Sequence, residues 1–181
     1  MLQELFSDLT HELRGAMTMR RHPFKYVTLS TVDEQNSPRS RTVVLREVSE
    51  SLECIIFTDA RSQKMSYVTT NDNACILAYH PKKLLQIRLD GKLKVVQDEK
   101  EIKRLFQKVS EKSIKDYTTS VPPGSTIDQP DQVDYVPRSE SNFVALKFVP
   151  HTIEYLRLKR PNHLRAVFKT EDDWKGQWLV P

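Results

Sequence analysis

The sequence predicts a mainly β protein, an antiparallel β-barrel carrying two or three α-helices. Short runs rich in β-branched and aromatic residues follow one another closely, joined by turn chemistry, and make six or seven strands that pair mostly in sequence order. Helical periodicity is confined to the segments between them. A chain of 181 residues with 38% hydrophobic content supports one full core, so a single domain over 1–181 is expected.

The elements justify themselves in order. In "MLQELFSDLTHELRG", Leu2, Leu5, Phe6, Leu9 and Leu13 fall on one face of a helix over about 1–17, and the acidic residues among them are unlike a secretory leader. "HPFKYVTLSTV" then reads as a strand, "DEQNSP" as a turn and "RSRTVVLREV" as the returning strand of a hairpin. "SLECIIFT" continues the meander, and Asp59 is placed to cap a following helix that carries Met65, Tyr67 and Val68. "ACILAYH" and "LLQIRLDGKLKVVQD" supply further strands, with Asp90-Gly91 marking a turn or a bulge. Apolar residues at 102, 105, 106, 109 and 114 predict a long helix, led by acids and followed by lysines as the helix dipole favours. A Pro-rich loop over about 118–141 follows, and loops of this length tend to be functional. "NFVALKFVPHTIEYLRLK" returns to strand character, and "RAVFKTEDDWKGQWLVP" reads as a closing hairpin.

Composition narrows the class. No apolar run approaches the roughly 20 residues that span a bilayer, so no membrane association is expected. The net charge of +4 allows an anionic partner, but the basic residues form no tail and no aromatic-rich RNA-binding motif. Nucleic acid, a phosphorylated cofactor or substrate, and plain surface charge all stay open on composition alone. Cys54 and Cys75 lie in apolar runs and read as buried reduced thiols of a cytoplasmic protein; with scattered histidines they give no metal-ligand spacing. Glycine fingerprints for dinucleotides or phosphates, G-x-S-x-G and H-E-x-x-H are all absent.

What remains is a set of basic and amide residues at strand ends. Arg41 and Arg46 close the run "SRTVVLR" at its two ends, and Lys64 sits in the first turn of a helix, where an anion would relieve its conflict with the dipole. Five positions apart in a regular strand, the two arginines point to opposite faces, so both reach one ligand only through a bulge or around the strand end. Gln86, in the apolar strand "LLQIRL", needs a hydrogen-bond partner if it points inward.

The order of these segments, "RTVVLR", then "FTDARSQK", then "QIRLDGK", with "HLR" at 163–165 and a terminal "LVP", resembles the FMN-binding pattern of the pyridoxamine 5′-phosphate oxidase family. The resemblance runs from about residue 20 to 181. It implies an FMN-binding split β-barrel, homodimeric, with FMN at the subunit interface. Arg41, Thr42, Val43, Val44, Leu45 and Arg46 would wrap the flavin, with Phe57 in place of the usual tyrosine, followed by Thr58. Lys64 would bind the phosphate, with Gln63 where the family usually has arginine. Gln86 would contact the flavin ring, Arg165 would come from the partner subunit, and the usual tryptophan would fall at Tyr155 or Leu156.

The substrate side departs from the family. The tyrosine, arginine and serine that hold the substrate phosphate in true oxidases fall here on Leu105, Val109 and Ser113, and the R-x-H segment reads Pro161, Asn162, His163. Losing two arginines from a phosphate site predicts roughly 10²–10⁴ weaker binding unless something compensates. Ser113 and His163 are left as substrate-side candidates, with no catalytic residue assigned and no metal expected. The expected function is an FMN-dependent oxidoreductase acting on a small molecule. A genuine pyridoxamine or pyridoxine 5′-phosphate oxidase with a rearranged phosphate site is one alternative. Others are a non-catalytic flavin- or haem-binding protein on the same barrel and a basic nucleic-acid-binding barrel.

Overall fold

In the computed structural model, which describes residues 1–181, eight strands form one antiparallel sheet in the order β3-β2-β1-β4-β5-β6-β7-β8, and β3 also pairs with β6. The six strands β3-β2-β1-β4-β5-β6 therefore close into a barrel, and β7 and β8 extend from it as a flap. The strands are β1 (Tyr26–Val32), β2 (Pro38–Val48), β3 (Cys54–Asp59), β4 (Asn73–His80), β5 (Leu85–Val95), β6 (Phe143–Arg157), β7 (Leu164–Lys169) and β8 (Gly176–Trp178). Three helices accompany them, α1 (Leu2–Thr18), α2 (Gln63–Thr70) and α3 (Glu99–Phe106). None is long and apolar enough to cross a membrane.

The split in the barrel lies on β6. Residues Phe143 to Phe148 pair with β3, Thr152 to Arg157 pair with β7, and β5 runs along both halves. β5 runs through Asp90-Gly91 without turning, and the register shift there is a bulge on the facing strand, with His151 the extra residue on β6. Gly91 is required there. A Cβ at this position would meet the Val149 carbonyl oxygen and lie 2.8 Å from the Phe148 ring.

Strand period fills the barrel, as Val27, Leu29, Val43, Leu45, Ile56, Ile76, Ile87, Leu89, Phe148 and Tyr155 all point inward and are buried. On α1, Leu9 and Leu13 are fully buried and Leu2, Leu5 and Phe6 pack beside them, the face that the sequence periodicity marks.

Two local expectations are corrected. Asp59 does not cap α2: it ends β3 as a buried carboxylate, and Ser62 occupies the N-cap position. The long helix expected from about Asp98 stops at Phe106, because Leu105 and Val109 join different apolar clusters and the Ser110 hydroxyl takes the Ser113 N–H. A separate 3₁₀ turn, Ile114–Tyr117, completes the segment.

Helix α1 is pinned by polar groups as well as apolar ones. Glu12, His22 and His80 are buried together, and the Lys83 ammonium reaches Glu12 from the β4–β5 turn. His22 Nε2 lies 3.4 Å from Glu12 Oε2. The His22 and His80 Nδ1 atoms accept main-chain N–H groups from Phe24 and Lys83, at 3.2 and 3.3 Å. Those donors set both neutral rings as Nε2–H tautomers, so neither Nε2 presents a lone pair for a metal.

Burial pushes the His22 imidazolium below its ordinary 6.5, with Glu12 opposing and His80 assisting. The native state then binds fewer protons than the unfolded chain just below pH 6.5, and stability falls as pH falls through that value. The urea midpoint is expected to drop between pH 7.5 and pH 5, and His22→Gln should flatten that drop. Identical pH slopes for the two proteins would remove His22 as its source.

Candidate functional site

The β3 run "CIIFT" ends at Asp59, whose carboxylate accepts the Arg61 N–H at 2.8 Å while its carbonyl accepts the Ser62 N–H and hydroxyl. This tight turn redirects the chain into α2 and brings Thr58, Ser62 and Lys64 together. Lys64 Nζ donates to Thr58 Oγ1 at 2.7 Å and to Ser62 Oγ at 3.0 Å. Across from them, Arg41 donates to Thr31 Oγ1 at 2.7 Å and to the Leu29 carbonyl at 3.3 Å.

Arg46 joins the same cleft through a bulge. Leu45 pairs with Ile56 and Glu47 with Ile55, so Arg46 is the extra residue on β2. Its guanidinium carbon lies 5.2 Å from the centre of the Phe57 ring, and its buried Nε has no hydrogen-bond partner. The two arginines that a regular strand would send to opposite faces thus line one cleft. Its volume is about 280 Å³, at the lower edge of the ~300–1,000 Å³ range of ligand pockets.

The electrostatics are one-sided. Neither Arg41, Arg46 nor Lys64 forms an ion pair: Asp59 is engaged with Arg61, Asp33 with Arg39 and Glu47 with Arg104 and Lys108, and Asp116, the other acid of the lining, pairs with none of the three. Burial, and then the Arg41 charge, push the Lys64 ammonium below its ordinary value, against a smaller opposing pull from Asp59. Burial likewise lowers Arg41. Two cations held together by neutral hydroxyls and carbonyls form a site that an anion would stabilise.

Of the residues singled out from the sequence, Arg41, Thr42, Val43, Val44, Arg46, Phe57, Thr58 and Lys64 line this cleft. The Leu45 side chain is fully buried in the core, so only its main chain could face a ligand. Gln63 is exposed and outside the cleft lining. Gln86 and Arg165 are not in the cleft either; they flank Leu156 on neighbouring strands of the sheet, where Arg165 pairs with Glu154 at 3.1 Å. Tyr155 is buried and donates its hydroxyl to Asp8, so of the two tryptophan-equivalent positions Leu156 is the one beside Gln86.

The substrate-side candidates lie outside the cleft. The Ser113 hydroxyl accepts from Ser110, and His163 Nδ1 accepts the Lys159 N–H in the β6–β7 turn. Leu105 and Val109 are buried, at 0% and 5% exposure, and cannot meet a substrate. The cleft instead gains Asp116, Tyr117 and Pro123, which sequence reasoning missed. Their only signal was position, just before and inside the Pro-rich loop. Burial raises the Tyr117 phenol, opposed chiefly by the Arg46 charge and helped to a lesser degree by Asp116.

A split barrel with a basic cleft between β2, the end of β3 and the start of α2 is the class of protein that the fold and the site define. Residues 6–97 match the family described as "Pyridoxamine 5'-phosphate oxidase, FMN-binding domain". The chain belongs to that family. The pyridoxine/pyridoxamine 5′-phosphate oxidase of Haemophilus influenzae is 35% identical over 66 residues, 36% of this chain. The matched region spans only 31% of that oxidase's length.

Among solved structures, a pyridoxamine 5′-phosphate oxidase-related, FMN-binding protein of Nostoc punctiforme is similar at TM-score 0.77 and 22% identity, over 97% of this chain and 96% of that one. PhzG of Burkholderia lata, solved with tetrahydrophenazine-1-carboxylic acid, is similar at TM-score 0.74 and 20% identity, over 98% and 91%. At these identities the two structures establish the fold.

If the unpaired cations make an anion site, inorganic phosphate at about 100 times its dissociation constant should stabilise the protein by ~2.7 kcal/mol. Lys64→Met is expected to lose this response while the ligand-free protein stays at least as stable as wild type, since a buried like-charge contact is removed. A thermal shift with phosphate that is unchanged in Lys64→Met would place the anion elsewhere.

Proposed function

We propose that this protein binds FMN in the cleft and acts as an oxidoreductase on a small molecule, as a homodimer. The observation that carries the reading is the Arg41–Lys64 pair, half-buried beside Thr58 and Ser62 with no acid to neutralise it. A phosphate dianion fits that donor set: two charged donors plus the two hydroxyls that Lys64 already orients. Arg41 is then the phosphate ligand, since its charge acts directly on Lys64. Arg46, further along β2 against Phe57 and Tyr117, has a free Nε to donate to the flavin body.

The protein's part in catalysis is to bind, orient and exclude water, while bound FMN supplies the hydride chemistry. The small open cleft calls for a second wall. Tyr26 and Tyr79 are large and exposed, at 66% and 49%, and Tyr79 pairs with Gln86 in the row that continues to Leu156 and Arg165. Such a surface suits a partner copy, with Gln86 and Arg165 of the partner subunit completing the flavin site.

The burial of Leu105 and Val109, and the distance of Ser113 and His163 from the cleft lining, favour a substrate other than a phosphate ester held as in true pyridoxamine-phosphate oxidases. A cytoplasmic location is consistent with the two unbridged thiols, buried Cys54 and half-buried Cys75, which burial pushes up to about 12.

The test is the visible spectrum of the purified protein and the identity of what it releases on denaturation. Flavin bands and released FMN rather than FAD are expected. Arg41→Ala and Lys64→Ala should each weaken FMN binding by ~10–100-fold, the loss of one charge-assisted hydrogen bond of about 1.5–3 kcal/mol. A colourless protein that takes up no added FMN would overturn the reading.

A further inference from the structure

The 119–135 stretch of the Pro-rich loop is tied to the rest of the chain by hydrogen bonds from one side chain, Arg61. Within itself the stretch closes by a bridge between Thr119 and Tyr135, with the Ser120 N–H donating to the Asp134 carbonyl. At its base the Val136 N–H donates to Thr118 and the Asn142 N–H to Tyr117. The hydrogen bonds that cross from 119–135 to the barrel all start on the Arg61 guanidinium. It donates to the Thr119 carbonyl at 2.8 Å, the Thr119 hydroxyl at 3.2 Å and the Ser120 carbonyl at 3.4 Å. The near limb of this loop carries Pro123 into the cleft wall, beside Asp116 and Tyr117.

The other edge of the guanidinium is fixed. Arg61 forks Asp59, Nε to Oδ1 at 3.1 Å and Nη2 to Oδ2 at 2.8 Å, and Asp59 is 3% exposed. Asp59 sits between Thr58 and Ser62, the hydroxyls that receive Lys64. It is also the one nearby carboxylate whose charge acts on Lys64. With Arg61 in place, that carboxylate is neutralised and Lys64 turns to the hydroxyls. Without it, a buried unpaired carboxylate would compete for the Lys64 ammonium.

We infer that Arg61 is a positioning residue with two linked tasks: it holds the 119–123 limb as a wall of the cleft, and it keeps Asp59 from capturing the lysine meant for the ligand's anionic group. The inference rests on the FMN reading only for the identity of that ligand. Its loop-holding part is independent of any ligand. A planar five-donor fork suits this role, because one face must grip a carboxylate while the other reaches carbonyls 58 and 59 positions away in sequence.

The test uses limited proteolysis of the flavin-free full chain together with FMN dissociation kinetics. In Arg61→Gln, cleavage within 118–141 is expected to accelerate at least ~10-fold and FMN release by a similar factor, about 1.4 kcal/mol. Arg61→Lys keeps the charge beside Asp59 but not the fork, so it should restore FMN affinity in part while the loop stays cleavable. The double variant Asp59→Asn/Arg61→Gln leaves no buried carboxylate unpaired and should show the same loop cleavage even if Arg61→Gln folds poorly. Cleavage at the wild-type rate in both Arg61→Gln and the double variant would overturn the inference. Accelerated cleavage in a protein whose wild type takes up no FMN would support the strap and reject the flavin.

Discussion

The fold hangs on the divided pairing of β6. Fifteen residues long, this strand pairs with β5 from Leu146 to Arg157, with β3 over its first half and with β7 over its second. The first half closes the barrel; the second carries the flap away from it. Gly91 makes the change of partner feasible, because the β6 backbone around Val149 and Pro150 passes where a side chain would stand. The cleft opens at the β3 side of that closure, where β3 ends in Thr58 and Asp59 and the chain must turn. Its hydroxyls and cations are gathered by the same geometry that seals the barrel.

Charge is distributed unevenly, and the unevenness locates the site. Across the surface the acids are matched: Asp72 with Lys92, Glu154 with Arg88 and Arg165, Glu47 with Arg104. In the cleft Asp59 is taken by Arg61 and Asp116 pairs with neither cation, so Arg41 and Lys64 are left to neutral oxygens. Such an arrangement lowers the stability of the ligand-free state, a cost tolerated where it is returned on binding. The family membership, the basic cleft and the absence of a usable phosphate site on α3 form one consistent picture. In the proposed reading phosphate recognition belongs to the cofactor side of the protein, while Leu105 and Val109, where the resemblance puts substrate-phosphate ligands, are buried.

Much of this was legible in the chain. Strand alternation and helix periodicity located β1 to β5, α1 and the final hairpin, since burial on one face writes a period directly into the residue types. The helix after Asp98 was overread. Its apolar spacing is real, but Leu105 and Val109 serve separate clusters, and a periodic pattern does not say whether one face or two are being filled. The capping role given to Asp59 failed similarly: Ser, Thr and Asp near a helix start are interchangeable by propensity, and only the packing of Arg61 against Asp59 chose between them.

By itself the sequence determined the fold class, the buried faces and most of the residues that line the basic cleft, because these depend on residue type and local spacing. Tertiary structure decided what depends on where strands slip and end. The bulge at Arg46 turned two arginines of opposite phase toward one cleft. Closure of β3 on β6 brought the Pro-rich loop over it. Gln86 and Arg165 went to a separate stretch of the sheet, outside the cleft lining. A one-residue shift in register moves a side chain to the other face of a sheet, and local sequence carries no record of which residue is the extra one.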